Sequence, residues 1–414
     1  MNGKKLTKLE KYWILYDVGN SAFVLLVATI LPIYFNALAA GEGLSEVQYL
    51  AYWGYAASIS TLIVAVIGPI FGTIADTRGY KKPIFIMSMM VGVLGCAVLS
   101  VPTSWVIFLA VFVIAKVGYS SSLIFCDAML SDVTTPERMD MVSSHGYAWG
   151  YIGSCIPFII SLIFVLGNEA IGISMGTAMT IAFLLNAGWW LLATLPLLKN
   201  YEQKNYIERP KHVFRSSFGR LAGTFKEMKK HKKIFMFLLA FFFYIDGVYT
   251  IIEMATAYGS ALGLDSTGLL LALLLTQIVA FPFALIFGRL AKQYETGKLI
   301  KACILAYICI ALFAIQLDKQ WEFWALAVCV GMFQGAVQAL SRSYFAKIIP
   351  AEKSGEFFGI FDICGKGASF MGTALMGMFA QITGSPNGGV AILAVMFVIG
   401  FILFGKAEKI ESGK

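Results

Sequence analysis

A chain of 414 residues that is 58% hydrophobic and only 14% charged lies far from the balance of soluble domains. Its formal net charge of +8 would suit nucleic acid, but the basic residues sit in short polar breaks between long apolar runs, which excludes that reading and points to a membrane. The three histidines, His145, His212 and His231, lie in or beside those breaks, and no HExxH, GxSxG or GxxxxGK[ST] string occurs, which excludes an intramembrane enzyme and an ATP-driven pump.

A bilayer core of about 30 Å takes roughly 20 apolar residues per helical span. Twelve runs meet this requirement, at roughly 12–38, 50–75, 83–102, 104–130, 143–166, 174–198, 234–260, 266–291, 299–317, 321–346, 356–382 and 387–405. No alternating pattern competes, so these are helices and not barrel strands. Met1–Lys11 is basic, but the run after it is too long for a signal peptide and lacks a small-residue cleavage site, so the first helix is expected to be retained.

The first helix, YWILYDVGNSAFVLL (Tyr12–Leu26), carries Asp17, Asn20 and Ser21 among apolar residues. An ionised side chain at mid-bilayer costs about 2.5–3.5 kcal/mol, so such groups face the bundle interior, pair, or line water. Asp17 lies roughly 9 Å past Lys11, which suits a gate or a structural contact. Asn20, three residues on, is expected to share a hydrogen-bond network with it. The turn after the second helix reads GTIADTRGYKK (Gly72–Lys82). Its Gly72 and Gly79 allow a tight turn and close helix packing, Asp76 is placed to cap a helix end or pair with a base, and Lys81 adds charge.

The fourth helix holds Lys116 near its middle and Asp127 near its exit. Lys116 either meets an anionic group of a substrate or holds a carboxylate such as Asp17 or Asp246. On the fifth, HGYAWGYIGSCIP (His145–Pro157) spaces Gly146, Gly150 and Gly153 for close backbone approach. Residues 199–233 carry eleven basic residues and read as a topology determinant and tether, or alternatively as an amphipathic helix on an anionic leaflet. In the seventh helix Asp246 lies about 20 Å past Lys233, and Glu253, two turns on, shares its face. Tyr244 and Tyr249 flank Asp246. Gln334 and Gln338 lie one turn apart on the tenth, ahead of Arg342 near its exit. On the eleventh, Asp362 and Lys366 form an acid-before-base i, i+4 pair that either neutralises itself or faces the cavity. The seven cysteines fall within the runs without CxxC pairing and are expected to be small buried apolar residues, with no disulfide and no metal site. Most tryptophans, Trp13 and Trp190 among them, and the run Phe241–Phe243 are expected to face lipid or the interface. No cofactor is implied.

Of the 32 basic residues, all but Lys116, Lys319 and Lys366 fall at the chain ends or in the even-numbered connections. The ends are therefore expected in the cytoplasm of a plasma-membrane protein. The halves also echo each other. YDVGNSAF is answered by YIDGVYTII (Tyr244–Ile252), GTIADTRGYKK by GRLAKQYETGK (Gly288–Lys298) with Lys292 in place of the acid, and TTPERMD (Thr134–Asp140) by IIPAEKSGE (Ile348–Glu356). Echoes in one order are what a duplicated six-helix unit in parallel orientation requires. The expected fold is an all-α membrane protein of twelve transmembrane helices in two pseudo-symmetric six-helix bundles, 1–198 and 234–414, joined by a basic linker at 199–233.

With these features the chain resembles the major facilitator superfamily. Gly72, Asp76, Gly79 and Lys81 match that family's loop motif Gly-x-x-x-Asp-Arg/Lys-x-Gly-Arg-Arg/Lys, while Thr77 and Tyr80 stand where basic residues are usual. YDVGNSAF, FFFYIDGVYTII, QGAVQALSRSYFAKIIP and EFFGIFDICGKGAS are similar to its vacuole-effluxer-like branch, whose fungal members are linked to amino-acid export. The resemblance implies a secondary transporter using alternating access, with helices one, four, seven and ten lining a central cavity. It does not fix the cargo, because one fold hosts many; the leading expectation is an amino acid or similar small metabolite, coupled to protons. A carrier of amphiphiles, such as a lysolipid, a lipid or a bile-acid-like molecule, is the alternative, and a non-transporting receptor or scaffold is a third reading. The expected cavity set is Asp17, Asn20, Lys116, Tyr244, Asp246, Tyr249, Glu253, Gln334, Gln338, Asp362 and Lys366, with Asp246 first for cargo or proton. Asp127 and Arg342 are expected to form an inter-half salt bridge that closes the inner gate, beside Gly72, Asp76, Gly79 and Lys81. The expected partners are substrate, protons and membrane lipids, with no nucleic acid, and the chain is expected to be a monomer.

Overall fold

The computed structural model describes residues 5–101, 104–211, 213–227 and 231–410. In chain order these form α1 (Lys8–Ala28), α2 (Ile30–Gly41), α3 (Glu46–Ala75), α4 (Lys81–Ala97), α5 (Trp105–Ala128), α6 (Leu130–Val133), α7 (Met139–Leu166), α8 (Asn168–Ile171), α9 (Met175–Asn200), α10 (Val213–Glu227), α11 (Lys232–Ala261), α12 (Ser266–Leu290), α13 (Thr296–Ala314), α14 (Gln320–Ile348), α15 (Ser354–Thr383) and α16 (Pro386–Lys409). Among the described residues, ten spans are long and apolar enough to cross a membrane, α1 and α2 counting as one. With α4 and α15 they make the expected twelve.

Local chemistry sets the boundaries. At the start of α1 the Thr7 hydroxyl accepts from the Glu10 N–H while the Glu10 carboxylate accepts from the Thr7 N–H, a reciprocal cap. The first span is broken at Thr29, whose hydroxyl donates to the Leu25 carbonyl at 2.5 Å before the chain restarts as α2.

The packing repeats itself six spans apart. In the first half α1 lies against α7 and α9, and α5 against α3 and α4; in the second α11 lies against α15 and α16, and α14 against α12 and α13. The echoed segments even make the same bond. The Tyr16 and Ser122 hydroxyls meet at 2.6 Å between α1 and α5, and the Tyr244 and Ser341 hydroxyls at 2.7 Å between α11 and α14.

The halves meet along two seams, α3 against α15 and α7 against α12. The first brings backbone onto backbone: a Cβ on Gly72 would collide with the Gly355 carbonyl, and one on Gly359 would lie 2.7 Å from the Pro69 Cα. Gly146, Gly150 and Gly153 serve packing within the first half, because Cβ atoms there would run into Asp17, Ser21 and Val18 of α1.

Three expectations about apolar residues need correction. Trp13 and Trp190 are fully buried, not interfacial: the Trp13 indole donates to the Cys126 carbonyl at 2.8 Å, and the Trp190 ring fills the space that Gly92 leaves. Phe241 is buried within an aromatic cluster containing Phe237, Tyr244 and Phe361. Cys309 and Cys329 are exposed on the bundle surface, since a thiol is as acceptable to lipid as to a protein core.

The α3–α15 crossing leaves no room for a methyl group. Gly72→Ala is expected to cost about 1–3 kcal/mol as over-packing. The check is the thermal midpoint of purified protein in detergent, which should fall; an unchanged midpoint would mean the helices are not in contact there.

Candidate functional site

The polar groups that join the halves gather at the end of the bundle that carries both chain termini and α10. At their centre lies Arg342 of α14, 3% exposed. Its Nη1 donates to Asp127 of α5 at 2.9 Å and its Nη2 to Asp17 of α1 at 3.1 Å. Its Nε donates to the Ser143 hydroxyl of α7 at 2.9 Å, and Nη2 also reaches the Ser143 carbonyl at 3.1 Å. The guanidinium lies 4.5 Å from the Trp13 ring centre and 4.4 Å from that of Tyr147. A planar fork of donors suits such convergence, and stacking on rings adds to it. The expected Asp127–Arg342 pair is therefore present, and Asp17 joins it. Asn20 does not: its amide donates to the Tyr16 carbonyl at 2.8 Å, one turn back on its own helix.

Asp76 closes the α3–α15 seam. Its two carboxylate oxygens accept from the Gly355 N–H at 2.7 Å and the Glu356 N–H at 2.9 Å, so an acid of one half caps a helix of the other. Lys81, fully buried, donates to Asp132 at 3.2 Å and to the Ser354 hydroxyl at 2.9 Å. Gly79, at φ +81°, lets the turn between them close. Asp140, at the start of α7, accepts from Ser343 at 2.6 Å and Thr296 at 2.8 Å and pairs with Lys347. Sequence reasoning missed Asp132 and Asp140. The available signal was the TTPERMD exit, which ends in Asp140 and is preceded by Asp132.

Deeper in the bundle the picture differs from expectation. Asp246 and Tyr244 do not face a cavity. Asp246 is fully buried between α11 and α15, where one oxygen accepts from the Gly372 N–H at 3.1 Å and from Thr250 at 3.3 Å; the other has no hydrogen-bond partner among the described residues. Tyr244 is tied to Ser341. Glu253, on the same face of α11 two turns on, is exposed. It lies close enough to the half-buried Lys116 of α5 for the two to attract each other across the halves. Lys116 meets neither Asp17 nor Asp246; its stem lies by Phe112, with Nζ 5.8 Å from the ring centre.

Asp362 and Lys366 form their i, i+4 ion pair at 2.6 Å on α15, and Lys366 Nζ sits 6.0 Å from the Tyr119 ring centre. Tyr249 lies against Gly365 of α15, where a Cβ would meet its ring at 3.8 Å. Gln334 and Gln338 are both buried on α14, with Gln334 beside the Tyr151 hydroxyl. The result is a mid-bundle region with tyrosines, two glutamines, and charges of both signs, Lys116 from the first half and Glu253, Asp362 and Lys366 from the second. Of these, Tyr119, Tyr147 and Tyr151 escaped sequence reasoning, because a tyrosine in an apolar run carries no mark of where its hydroxyl points.

The model of the vacuole effluxer Atg22-like family matches residues 7–414. This chain belongs to that family. A bacterial relative, the uncharacterized MFS-type transporter YxiO of Bacillus subtilis (strain 168), is 43% identical over 405 residues, covering 97% of this chain and 95% of that protein. Autophagy-related protein 22 of Cryptococcus neoformans var. neoformans serotype D (strain B-3501A) is 25% identical over 299 residues, with 66% of this chain aligned to 53% of the fungal protein. The Atg22-like chain also shares its fold with the MFS transporter FucP in the outward conformation, at a TM-score of 0.73 over 97% of this chain and 98% of that one and 15% identity. The human organic anion transporter MFSD10 matches at 0.70 over 96% and 98%, with 14% identity. The protein is thus a multi-pass membrane transporter of the major facilitator superfamily and not an enzyme.

Removing Arg342 would leave two enclosed carboxylates without their counter-charge, a change expected to cost about 3–5 kcal/mol. Arg342→Met should therefore lower the thermal midpoint sharply, and adding Asp17→Asn and Asp127→Asn should recover most of the loss. Asp76 gives a pH signature, because burial pushes its carboxyl up to about 7 against the opposing pull of Lys81 and the two N–H donors. A raised carboxyl binds its proton more tightly in the closed arrangement than in one where it titrates at about 4. The Asp76 contribution to closure is therefore full below about 4 and is lost as pH rises through about 7. Inter-half distances measured by spin labelling across this window should shift toward the closed population on acidification, and the shift should shrink in Asp76→Asn.

Proposed function

We propose that this Atg22-like transporter moves a small zwitterionic metabolite, an amino acid or a close analogue, by alternating access coupled to protons. The observation that carries this reading is the placement of Lys116 on α5 and Glu253 on α11, unlike charges within electrostatic reach of each other and contributed one by each half. A cargo with a carboxylate and an ammonium answers both and bridges the halves. It then binds best where both side chains reach it, which is what a ligand must do to shift a two-state equilibrium.

The segments 1–198 and 234–414 act as the rocking units, with 199–233 between them. The Arg342 cluster, the Asp76 cap and the Asp140–Lys347 pair form the gate at the termini end. They must break for the cavity to open there. Asp246, with one oxygen unpaired by protein, is the candidate proton carrier: a neutral carboxyl relaxes its hold on α15 at Gly372. The distribution of basic residues supports a cytoplasmic termini end in a plasma membrane. The effluxer name of the family motivates export as the direction. The transporting unit is one chain.

Purified protein in liposomes tests this. Amino acids should raise the thermal midpoint and be taken up under a pH gradient, while Lys116→Met and Glu253→Gln should each reduce uptake at least about tenfold, the scale of one charge-assisted contact. Wild-type gradient-driven flux in Asp246→Asn would remove its coupling role. If lysolipids stabilise the protein and are transported while amino acids do neither, the amphiphile carrier replaces this reading.

A further inference from the structure

The 199–233 linker is more than a tether. After α9 it runs back against the Gly72–Lys82 turn. The Ile207 N–H donates to the Asp76 carbonyl at 2.8 Å, the Arg78 N–H donates to the Ile207 carbonyl at 3.0 Å, and Gln203 accepts from the Gly79 N–H at 3.0 Å while donating to the Ala75 carbonyl at 3.1 Å. Then α10 docks on α3 with Val213, Ser217 and Thr224 buried, and Arg220 Nη2 donates to the Thr73 carbonyl at 2.5 Å. Through these hydrogen bonds the linker grips the turn whose Asp76 caps α15.

A second stripe of α10 is left open. Phe214 and Phe218, one turn apart, are 64% and 53% exposed and sit one position on from the docked residues, about 100° around the helix. Arg215 and Lys226 are exposed on the stripe beyond, and Lys211 is exposed just ahead of the helix. Nearby Glu208 lies 3.6 Å from Arg78. Two exposed phenylalanines flanked by cations, on a helix docked at the end of a membrane span, have the composition of an element that lies in an anionic interface.

We propose that α10 is a binding site for anionic phospholipid and transmits the lipid composition of the adjoining leaflet to the Asp76 cap. Phe214 and Phe218 enter the acyl boundary, and Lys211, Arg215 and Lys226 meet head-group phosphates. A lipid-held α10 keeps Arg220 on Thr73 and Ile207 on Asp76, so anionic lipid favours closure of the termini end. This regulatory step rests on reading the Asp76 cap as part of the gate.

The test uses the full chain and two readouts. Lipid retention is measured by native mass spectrometry in micelles titrated with phosphatidylglycerol or phosphatidylcholine. Closure is measured by spin labels at Glu137 and Glu295, one on each half, with Cys309 and Cys329 replaced by Ser, in phosphatidylcholine vesicles with and without phosphatidylglycerol. Phosphatidylglycerol should be retained in preference and should shorten the inter-half distance. Arg215→Gln/Lys226→Gln, which alters only exposed residues, should lose about fivefold in phosphatidylglycerol affinity per charge. Phe214→Ser/Phe218→Ser should lose retention of both lipids, and neither variant should close in response to phosphatidylglycerol. Equal retention of the two lipids, or retention unchanged in the charge variant, overturns the site. Binding without a distance change overturns the coupling, and a variant that changes oligomeric state while lipid retention stays the same assigns the face to a second copy instead. If Asp76→Asn leaves the distance unchanged while lipid retention persists, the gate has failed and the lipid site has not.

Discussion

A guanidinium taken out of water must find partners for its donors, and Arg342 finds them on three helices of the opposite half. Asp17, Asp127 and Ser143 come from α1, α5 and α7, and two aromatic rings cover the planar faces. Desolvating such a group is costly unless the geometry is good and the remaining donors are satisfied. One residue of the second half is therefore bonded to three helices of the first. Interactions present in one of two states are what bias an equilibrium between them.

The other contacts at this end share a polarity. Asp17, Asp76, Asp127 and Asp140, all from the first half, accept; Arg342, the N–H groups of Gly355 and Glu356, Ser343, Thr296 and Lys347, all from the second, donate. Lys81 donating to Ser354 and the Ser143 hydroxyl donating to the Ala339 carbonyl run the other way. Two duplicated units have thus diverged into an acidic face and a donor face, and Lys292 at the position equivalent to Asp76 is one trace of that divergence. Such an arrangement rewards the pairing of unlike halves and penalises a half meeting its own kind, where four carboxylates would oppose four.

Much of the architecture was readable in the chain because hydropathy and helix length are set by the bilayer, a constraint that acts residue by residue. The twelve spans and the repeat follow from it, while the turn around Asp76 was legible from its spacing of glycines and charges. What could not be read is rotation and depth. Asp246 and Glu253 share a helical face, yet one is buried against α15 and the other is exposed, a difference set by neighbours that lie far off in the sequence. Trp13 and Cys329 were misplaced for a related reason: an apolar side chain is equally content in a core or in lipid, so composition cannot choose between them. Asn20 turned to its own backbone, an option any buried amide has and no sequence spacing reveals.

The two tyrosine–serine bonds, Tyr16 with Ser122 and Tyr244 with Ser341, bear on how the molecule is made. Each ties the first helix of a half to its fourth using residues of that half alone. The six helices of the first half are complete in the chain before α11 begins, so they can close on themselves during synthesis, as units of a large protein generally do. Its row of acids lies at one end, where Arg342, encoded more than two hundred residues later, meets Asp17 and Asp127. The same guanidinium is thus the point at which two internally bonded units are joined into one.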